Sequence, residues 1–343
     1  MRSRMYLGKG RLPSLLRSEN TYLADLPPGS PDRDERQIRL GGSVGGSKDP
    51  HAVTVQSQIE QLRLKGVNCL NWQIITDSSC DLKEWDKEIP FDSVPFVIRV
   101  DDTDYVDTPD LDVETLVSAM EKSTVSRTSC PSPEAWYQVF LRSEKTIALT
   151  ISANLSGSYN SAVTAREMVL EKYPEKQIEI IDSLSTGPKL IMLAQQAAAM
   201  IQEKLPVDRI AEKLRQMAGG VHTLFTLCSF RNLVNNGRVS RLAGFLAGML
   251  NIRAIGAGSP DGIIEVREKL RGEGKTLKAM VEIMAKEGFR GTEVVISHCL
   301  NEGLAETFRK LVLERWPHAP IQIFPTRGLD SYYAERSGLI VCY

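Results

Sequence analysis

The sequence predicts a two-domain α/β protein whose first domain is built on a parallel β-sheet. From residue 71 onward, short apolar runs typical of strands alternate with longer segments of helical periodicity. Such alternation is the pattern of a mainly parallel sheet covered by helices on both faces. The chain has 343 residues, 42% of them hydrophobic, which is enough for about two domains of ~150 residues each.

The predicted elements of the first domain follow one another between residues 71 and 219. The expected strands are the apolar runs WQIITD, VPFVIRV, TIALTIS and IEIID. Apolar residues recur at helical spacing in LDVETLVSAMEKS, PEAWYQVFLRSE and SYNSAVTAREMVLEKY, which predicts three helices. A longer helical passage, STGPKLIMLAQQAAAMIQEK followed by VDRIAEKLRQMA, ends near Gly219 and Gly220. The two glycines predict the domain boundary.

The second predicted domain covers residues 220–343, and residues 1–70 differ from both domains. The expected strands of the second domain are HTLFTL, RAIGA, IIEVREKL, TEVVISH, IQIFPT and GLIVCY, with amphipathic helices near 275–287 and 301–315. Residues 1–70 are rich in Pro, Gly, Ser and charge, so they have little apolar surface to bury. We expect a poorly ordered extension there, with one short helix near TVQSQIEQLRLKG.

Composition and charge narrow the function classes. The chain carries 42 basic and 43 acidic side chains, whereas nucleic-acid binders usually show a basic surplus. It has no apolar run long enough to span a membrane and no apolar core of a signal peptide near its N-terminus. Six scattered cysteines form no C-x-x-C pair, which favours free thiols over a disulfide framework or a metal staple. We expect a cytoplasmic, monomeric protein without metal or cofactor.

Hydroxyl-bearing side chains are concentrated where the strands of the first domain end. They occur in ITDSSCD, SRTSCPSPE, ISANLSGSYNS and IDSLSTG, and the third of these runs contains no lysine or arginine. Ligands of doubly wound sheets bind at the carboxyl ends of the strands, where helix N-termini offer free N–H groups. Ser132 before Pro133 predicts a helix cap, and Ser156 is expected at or near the cap of the next helix. Because serine and threonine are common caps, the residues alone predict no more than a small-anion site.

The sequence excludes some other kinds of site and leaves others open. The sequence lacks the G-x-x-x-x-G-K-[ST] phosphate loop, a G-x-G-x-x-G run after the first strand, and a G-x-S-x-G nucleophile elbow. His298, at the end of a predicted strand, could face a ligand or be structural. Asp77 and Asp182, also at strand ends, could be metal or base carboxylates, or could accept hydrogen bonds from loop N–H groups.

The chain resembles the DegV family of bacterial-type fatty-acid-binding proteins. The resemblance runs from about residue 72 to the C-terminus and rests on an ordered set of motifs: IITDSSCDL, PFVIRVDDTDYVDTPDLD, RTSCPSPEAWYQVF, LSGSYNSA, IDSLSTG and NNGRVS. It implies an α/β/α domain with a parallel sheet, a second α/β domain with a mixed sheet, and one long-chain fatty acid between them. It further implies a non-catalytic lipid-binding carrier that presents the acyl carboxylate to a partner fatty acid kinase, which forms an acyl phosphate.

The resemblance also implies roles for individual residues. Thr128 and Ser156 would hydrogen-bond the fatty acid carboxylate, with the Gly157 N–H nearby, and His298 would close the site from the second domain. Supporting or partner-facing positions are Asp77 and Ser78, which match the motif that orders the loop beneath the head group, together with Ser129, Asp182 and Arg238.

The chain departs from the family pattern in three places. Cys130 stands where a glutamine is usual, Asn236 replaces a glycine, and the segment PTRGLDSYYAERSGLIVCY replaces the usual glycine-rich ending. We therefore expect a different rim in the second domain. The apolar run GFLAGMLNIRAIGA, residues 244–257, could line an acyl tunnel or belong to an ordinary core.

Two alternatives to a carrier remain open at this stage. One is a hydrolase or acyltransferase with Ser156 or Cys130 as nucleophile and His298 as base, which requires these groups within hydrogen-bonding reach. The other is a receptor for a small anion that has no acyl tunnel.

Overall fold

The structure is a computed structural model, and it describes residues 71–239 and 252–343. All of these residues belong to one compact unit. The predicted extension over residues 1–70 and the first part of the predicted tunnel lining, residues 244–251, lie outside the described residues. Within the described ranges, no helix has both the length and the apolar character needed to cross a membrane.

A four-stranded parallel sheet lies in the first half of the described chain, as predicted, although its second strand is FDSV and most of the expected strand VPFVIRV lies outside it. Its strands lie in the order β2-β1-β6-β7, and all neighbouring pairs are parallel. The strands are β1 (Trp72–Asp77), β2 (Phe91–Val94), β6 (Lys145–Thr150) and β7 (Gln177–Asp182). From β1 the chain continues to β2 on one side of the sheet, and from β6 it continues to β7 on the other side. The direction in which strands are added therefore reverses between β1 and β6. Their carboxyl ends therefore mark the place where ligands of such sheets bind.

Helices cover both faces of this sheet: α2 and α3 each bury one side, whereas α4 is buried on most of its surface. Trp136 and Phe140 of α2 and Ala165 of α3 pack on one face against Ile75 and Ala148. The opposite face is covered by α4 and α5. The helices are α1 (Val113–Lys122), α2 (Pro133–Phe140), α3 (Ser158–Lys172), α4 (Pro188–Gln202) and α5 (Val207–Gly220). As predicted, Ser132 caps α2 by accepting a hydrogen bond from the Ala135 N–H, with Pro133 in the first turn.

A second, three-stranded antiparallel sheet was not predicted. It has the order β4-β3-β5 and consists of β3 (Val97–Val100), β4 (Thr103–Val106) and β5 (Ser126–Ser129). The prediction that all four hydroxyl-rich segments lie at one edge of the parallel sheet is therefore wrong, since Thr128 belongs to β5. Ile98 and Val100 are buried while Val97 and Arg99 are only partly buried, and this alternation suits an antiparallel strand with one covered face.

The third sheet has six strands in the order β10-β9-β8-β13-β11-β12, and only the β11–β12 pair is parallel. Its strands are β8 (Thr223–Leu227), β9 (Ile252–Gly258), β10 (Ile264–Arg271), β11 (Val294–His298), β12 (Ile321–Pro325) and β13 (Leu339–Cys342). The associated helices are α6 (Arg231–Asn235), α7 (Glu273–Lys286), α8 (Glu302–Arg315) and α9 (Gly328–Ala334). The mixed sheet that the family resemblance implied is confirmed, whereas the boundary at residues 219 and 220 stays a prediction.

The two faces of the six-stranded sheet have different neighbours. Alternate residues, such as Leu224 and Leu339, pack against Met280 of α7 and Phe308 of α8. On the other face, α4 lies between this sheet and the parallel sheet, and its apolar residues share a cluster with Val295 and Cys342. Beyond the N-terminus of α4, this second face borders the cavity described next.

Candidate functional site

A narrow apolar cavity lies between the carboxyl ends of the parallel strands and the uncovered face of the six-stranded sheet. The atom-free space of the cavity, with its open mouth included, is about 810 Å³. Its apolar walls are formed by Phe96, Ile151, Leu155, Leu184, Phe225, Leu227, Leu233, Ile263, Ile264, Leu329, Tyr333, Ala334 and Ile340. A space of this shape and lining suits a slender apolar chain with a few polar contacts.

One end of the cavity is polar. Thr128 and Tyr333 meet there, with their hydroxyl oxygens 2.9 Å apart and hydrogen-bonded to each other. Ser156 and Arg238 also line the cavity, and the Arg238 Nε donates to the Leu155 carbonyl oxygen over 3.0 Å. Burial raises the pKa of Tyr333, so its hydroxyl keeps its proton. Hydroxyl donors and one guanidinium therefore converge on the same space.

Ser156 owes its position to the start of α3. The helix is capped by Gly157, which has no side chain to accept a hydrogen bond, and the Ser156 Oγ accepts one from the Ser158 N–H at 3.3 Å. The helix N-terminus adds N–H groups and a partial positive charge beside Ser156. A hydroxyl and the first amides of a helix thus lie where the parallel sheet ends.

Asp77 and Ser78 hold the loops around this junction. The buried Asp77 carboxylate accepts hydrogen bonds from the Ile151 N–H at 3.0 Å and from the Ser158 hydroxyl at 2.6 Å, which joins β1 to the start of α3. Burial raises the pKa of Asp77, and these hydrogen bonds oppose the rise. The Ser78 Oγ accepts a hydrogen bond from the Phe96 N–H at 2.9 Å. Both residues order loops, and neither lines the cavity.

Asp182 and Ser129 lie outside the polar group as well. The Asp182 carboxylate accepts hydrogen bonds from the Leu184 N–H at 2.9 Å and the Ala153 N–H at 3.3 Å, so it orders the loop after β7. Ser129 follows Thr128 in β5 and is exposed. Successive strand residues point to opposite faces, and Ser129 therefore does not face the cavity that Thr128 lines.

His298 faces away from the cavity. It lies directly opposite Leu339 in the β11–β13 pair, and opposite residues of an antiparallel pair share a face. Leu339 packs under α7 and α8, whereas its neighbour Ile340 lines the cavity. This contradicts the expectation that His298 closes the carboxylate site. Its Nδ1 instead accepts a hydrogen bond from the Asn301 N–H at 3.3 Å, beside the start of α8.

Because His298 faces away from the cavity, it is not placed to act as the base of an acyl-transfer enzyme with Ser156 or Cys130 as nucleophile. Cys130 is exposed, and its Sγ lies 3.4 Å from the position of a Cβ atom on Gly157, so this thiol does lie near Ser156. No histidine is among the described residues that line the cavity. Among the residues that the structure describes, none therefore brings an imidazole to Ser156 or Cys130 for activation.

Helix α9 forms a wall of the cavity that the sequence did not predict. Leu329, Tyr333 and Ala334 project from it into the cavity. The helix lies within the segment that departs from the family pattern, and an expected difference at the rim was the only signal for it. Only the contact between Thr128 and Tyr333, 205 residues apart in the chain, identifies Tyr333 as part of the polar end.

Comparison with known proteins agrees with this architecture. The family model of DegV, a family of uncharacterised proteins, matches residues 71–334. The chain belongs to the DegV family. A DegV domain-containing protein from Streptococcus gordonii is 37% identical over 278 residues, which are 80% of this chain and 99% of that protein.

Two similar solved structures contain fatty acids. One is the Streptococcus pneumoniae fatty acid kinase (Fak) B3 protein loaded with linoleic acid; it is 35% identical with a TM-score of 0.77, covering 80% of this chain and 99% of that one. The other is a DegV family protein from Eubacterium eligens loaded with heptadecanoic acid; it is 33% identical with a TM-score of 0.76, covering 79% of this chain and 98% of that one.

A pair of buried carboxyl groups lies where α9 meets the parallel sheet of this DegV chain. Asp330 lines the cavity, and its Oδ1 accepts a hydrogen bond from the Thr186 hydroxyl at 2.5 Å. The Oδ2 atoms of Asp330 and Asp81 lie 2.5 and 2.8 Å from the position of a Cβ atom on Gly187, so they are neighbours. Neither Oδ2 has another hydrogen-bond partner among the described residues. A proton shared between the two carboxyl groups would satisfy both oxygens.

Stability should depend on the protonation of this pair. Burial raises the pKa of Asp81 to about 6, and burial together with the neighbouring Asp81 raises the pKa of Asp330 well above its usual value. A raised pKa in the folded state stabilises the protein below the usual carboxyl pKa of about 4, and this contribution is lost as the pH rises through the folded value. The buried Asp107 nearby acts in the same direction.

Replacing Asp330 by asparagine is therefore expected to raise the melting temperature relative to the parent at pH 8, by about 5 °C, with little change at pH 4.5. The amide preserves the shape and cannot ionise. Thermal unfolding at both pH values measures the difference, and Asp110→Asn, at an exposed carboxyl group, serves as the control. An equal change at both pH values would mean that the pair does not share a proton.

Proposed function

We propose that the chain binds one long-chain fatty acid in the cavity, with the carboxylate at the polar end and the acyl chain along the apolar walls. The observation that carries this proposal is the asymmetry of charge in an otherwise apolar cavity. Among the described lining residues, Arg238 is the one cation and Asp330 is the one acid. A carboxylate is therefore attracted to the end with Arg238, whereas Asp330 offers it no positive charge.

The proposal assigns the carboxylate to the Thr128 and Ser156 hydroxyls and the Gly157 N–H, with Arg238 and Tyr333 beside them. Hydrogen bonds to a charged carboxylate are stronger than those between neutral groups, and the helix N-terminus favours a negative charge. His298 is not included, because it lies on the other face of the sheet.

The acyl chain supplies most of the affinity. Burying one methylene group is worth about 0.8 kcal/mol, so a chain of about 16 carbons contributes roughly 10 kcal/mol before the costs of association. The polar end fixes the orientation of the ligand, because an apolar tail has no directional contacts of its own. Leucine, isoleucine and phenylalanine side chains along the walls suit this division of roles.

The carboxylate is then accessible to a second protein. A surface cleft adjoins the polar end and shares Leu155, Ser156 and Arg238 with the cavity. This cleft, together with the similarity to a fatty acid kinase B3 protein, supports a non-catalytic carrier that presents its fatty acid to a separate kinase. Because no described residue beside Ser156 carries an imidazole, the carrier leaves the chemistry to that kinase.

Native mass spectrometry of protein purified from cells without detergent tests the proposal. We expect a bound, non-covalent mass that matches a fatty acid of about 14 to 18 carbons. A covalent acyl adduct on Ser156 or Cys130 would instead support an acyl-transfer enzyme. A protein that is isolated empty and takes up no added fatty acid would overturn the proposal.

A further inference from the structure

The ring of Phe225 lies directly over a glycine on the neighbouring strand. Phe225 of β8 and Gly256 of β9 are opposite each other in the antiparallel register. A Cβ atom on Gly256 would lie 2.1 Å from the ring Cζ, 2.4 Å from Cε2 and 2.8 Å from Cε1. The far edge of the ring thus occupies the space of the missing side chain.

Backbone conformation does not explain the glycine. Gly256 is not among the residues with positive φ, whereas Gly262, in the turn after β9, has φ +72°. A glycine within a strand that needs no special φ marks a close approach by another group. Here that group is the Phe225 ring, and any larger residue would have to displace it.

Displacement of the ring would narrow the cavity. Phe225 lines the cavity with Leu227, two residues along the same face of β8. Its other neighbours are packed side chains, including Phe230, with ring centroids 6.2 Å apart. The unfilled space beside the ring is the cavity itself, so a ring lifted from β9 would move into the path of a bound chain.

We propose that Gly256 and Phe225 together determine which acyl chains the cavity accepts, because the glycine lets the ring lie flat and leaves room for long chains. This inference rests on the proposed fatty-acid binding and adds a determinant of chain length to it. Gly256→Ala would push the ring inward and penalise long chains, whereas Phe225→Leu would widen the path and favour them.

The test measures the affinities of tetradecanoic and octadecanoic acid for the full chain by competition with a fluorescent fatty acid. In Gly256→Ala we expect the affinity for octadecanoic acid to fall by about 10-fold relative to the affinity for tetradecanoic acid. This is the loss expected when about two methylene groups lose their contacts. The double variant Gly256→Ala/Phe225→Leu should restore the parent ratio. Gly274→Ala is the control and should keep the parent ratio, since a Cβ atom there would meet nothing within 4 Å and Gly274 does not line the cavity.

The outcomes separate this inference from the proposed function. If the parent binds neither acid, the proposed function fails. If the parent binds both acids and Gly256→Ala keeps the parent ratio, the inference fails while the proposed function stands. Should Gly256→Ala not fold, Phe225→Leu decides: a shift towards octadecanoic acid supports the inference, and an unchanged ratio overturns it.

Discussion

Replacing Ser156 by alanine is expected to weaken fatty-acid binding by about 10- to 100-fold, because a hydrogen bond to a charged group contributes about 1.5–3 kcal/mol. The fold should be retained, since the Ser156 Oγ accepts only a long hydrogen bond, 3.3 Å, from the Ser158 N–H. The loss should depend on the ligand's charge: hexadecanoic acid should lose affinity, whereas hexadecanol, which has the same chain and no carboxylate, should not. Competition binding with both ligands measures the difference.

Ser161→Ala provides the control for this prediction. Ser161 lies in the same helix, α3, and is not among the residues that line the cavity. The Ser161→Ala variant should bind hexadecanoic acid and hexadecanol with the same affinities as the parent. If Ser156→Ala binds hexadecanoic acid with unchanged affinity, or loses the acid and the alcohol equally, Ser156 does not contact the carboxylate.

Arg327→Met is expected to lower the free energy of unfolding by about 3–5 kcal/mol, because it leaves a buried carboxylate without its counter-charge. Arg327 and Asp107 are almost fully buried, with the Arg327 Nε 3.7 Å from the Asp107 Oδ1. The guanidinium also donates to the Ser93 hydroxyl at 2.9 Å and to the Asp107 carbonyl oxygen at 2.6 Å. Denaturant unfolding at pH 7 measures the loss.

Arg327→Met should also loosen the start of α9, the helix that forms one wall of the cavity. Asp107 accepts hydrogen bonds from the Gly328 and Leu329 N–H groups, each at 2.8 Å, and so holds the start of this helix.

The control is Arg309→Met, which removes an exposed ion pair with Glu306 and should lower the free energy of unfolding by no more than about 1 kcal/mol. Equal losses in the two variants would show that Arg327 does not stabilise the fold through its buried contacts.

The fold was predictable where hydrophobic periodicity was strong. The strands β1, β6 and β7 and the helices α1 to α5 follow from runs that are apolar at strand or helix spacing. The three-stranded sheet was not predicted as such: VPFVIRV, which contains β3, was expected in the parallel sheet. The other two strands, TDYV and SRTS, are four residues long and largely polar. Local pattern carries little information about strands this short.

The site was predictable only in part, since most of it is formed by distant contacts. The strand-end serines and the family resemblance indicated Thr128 and Ser156, and the structure brings both to one cavity. His298 was misplaced because a motif gives the position of a residue along a strand and not its face, which the pairing with Leu339 decides. Tyr333 and Phe225 carried no local signal, since their roles depend on partners across the fold.

A crystal structure of the protein with a bound long-chain fatty acid tests the central claim most directly. We expect the carboxylate within hydrogen-bonding distance of the Ser156 Oγ and the Thr128 Oγ1, and the acyl chain running past Phe225 between the parallel and the six-stranded sheets. A carboxylate bound at the Asp330 end, or a fatty acid bound outside this cavity, would contradict the account.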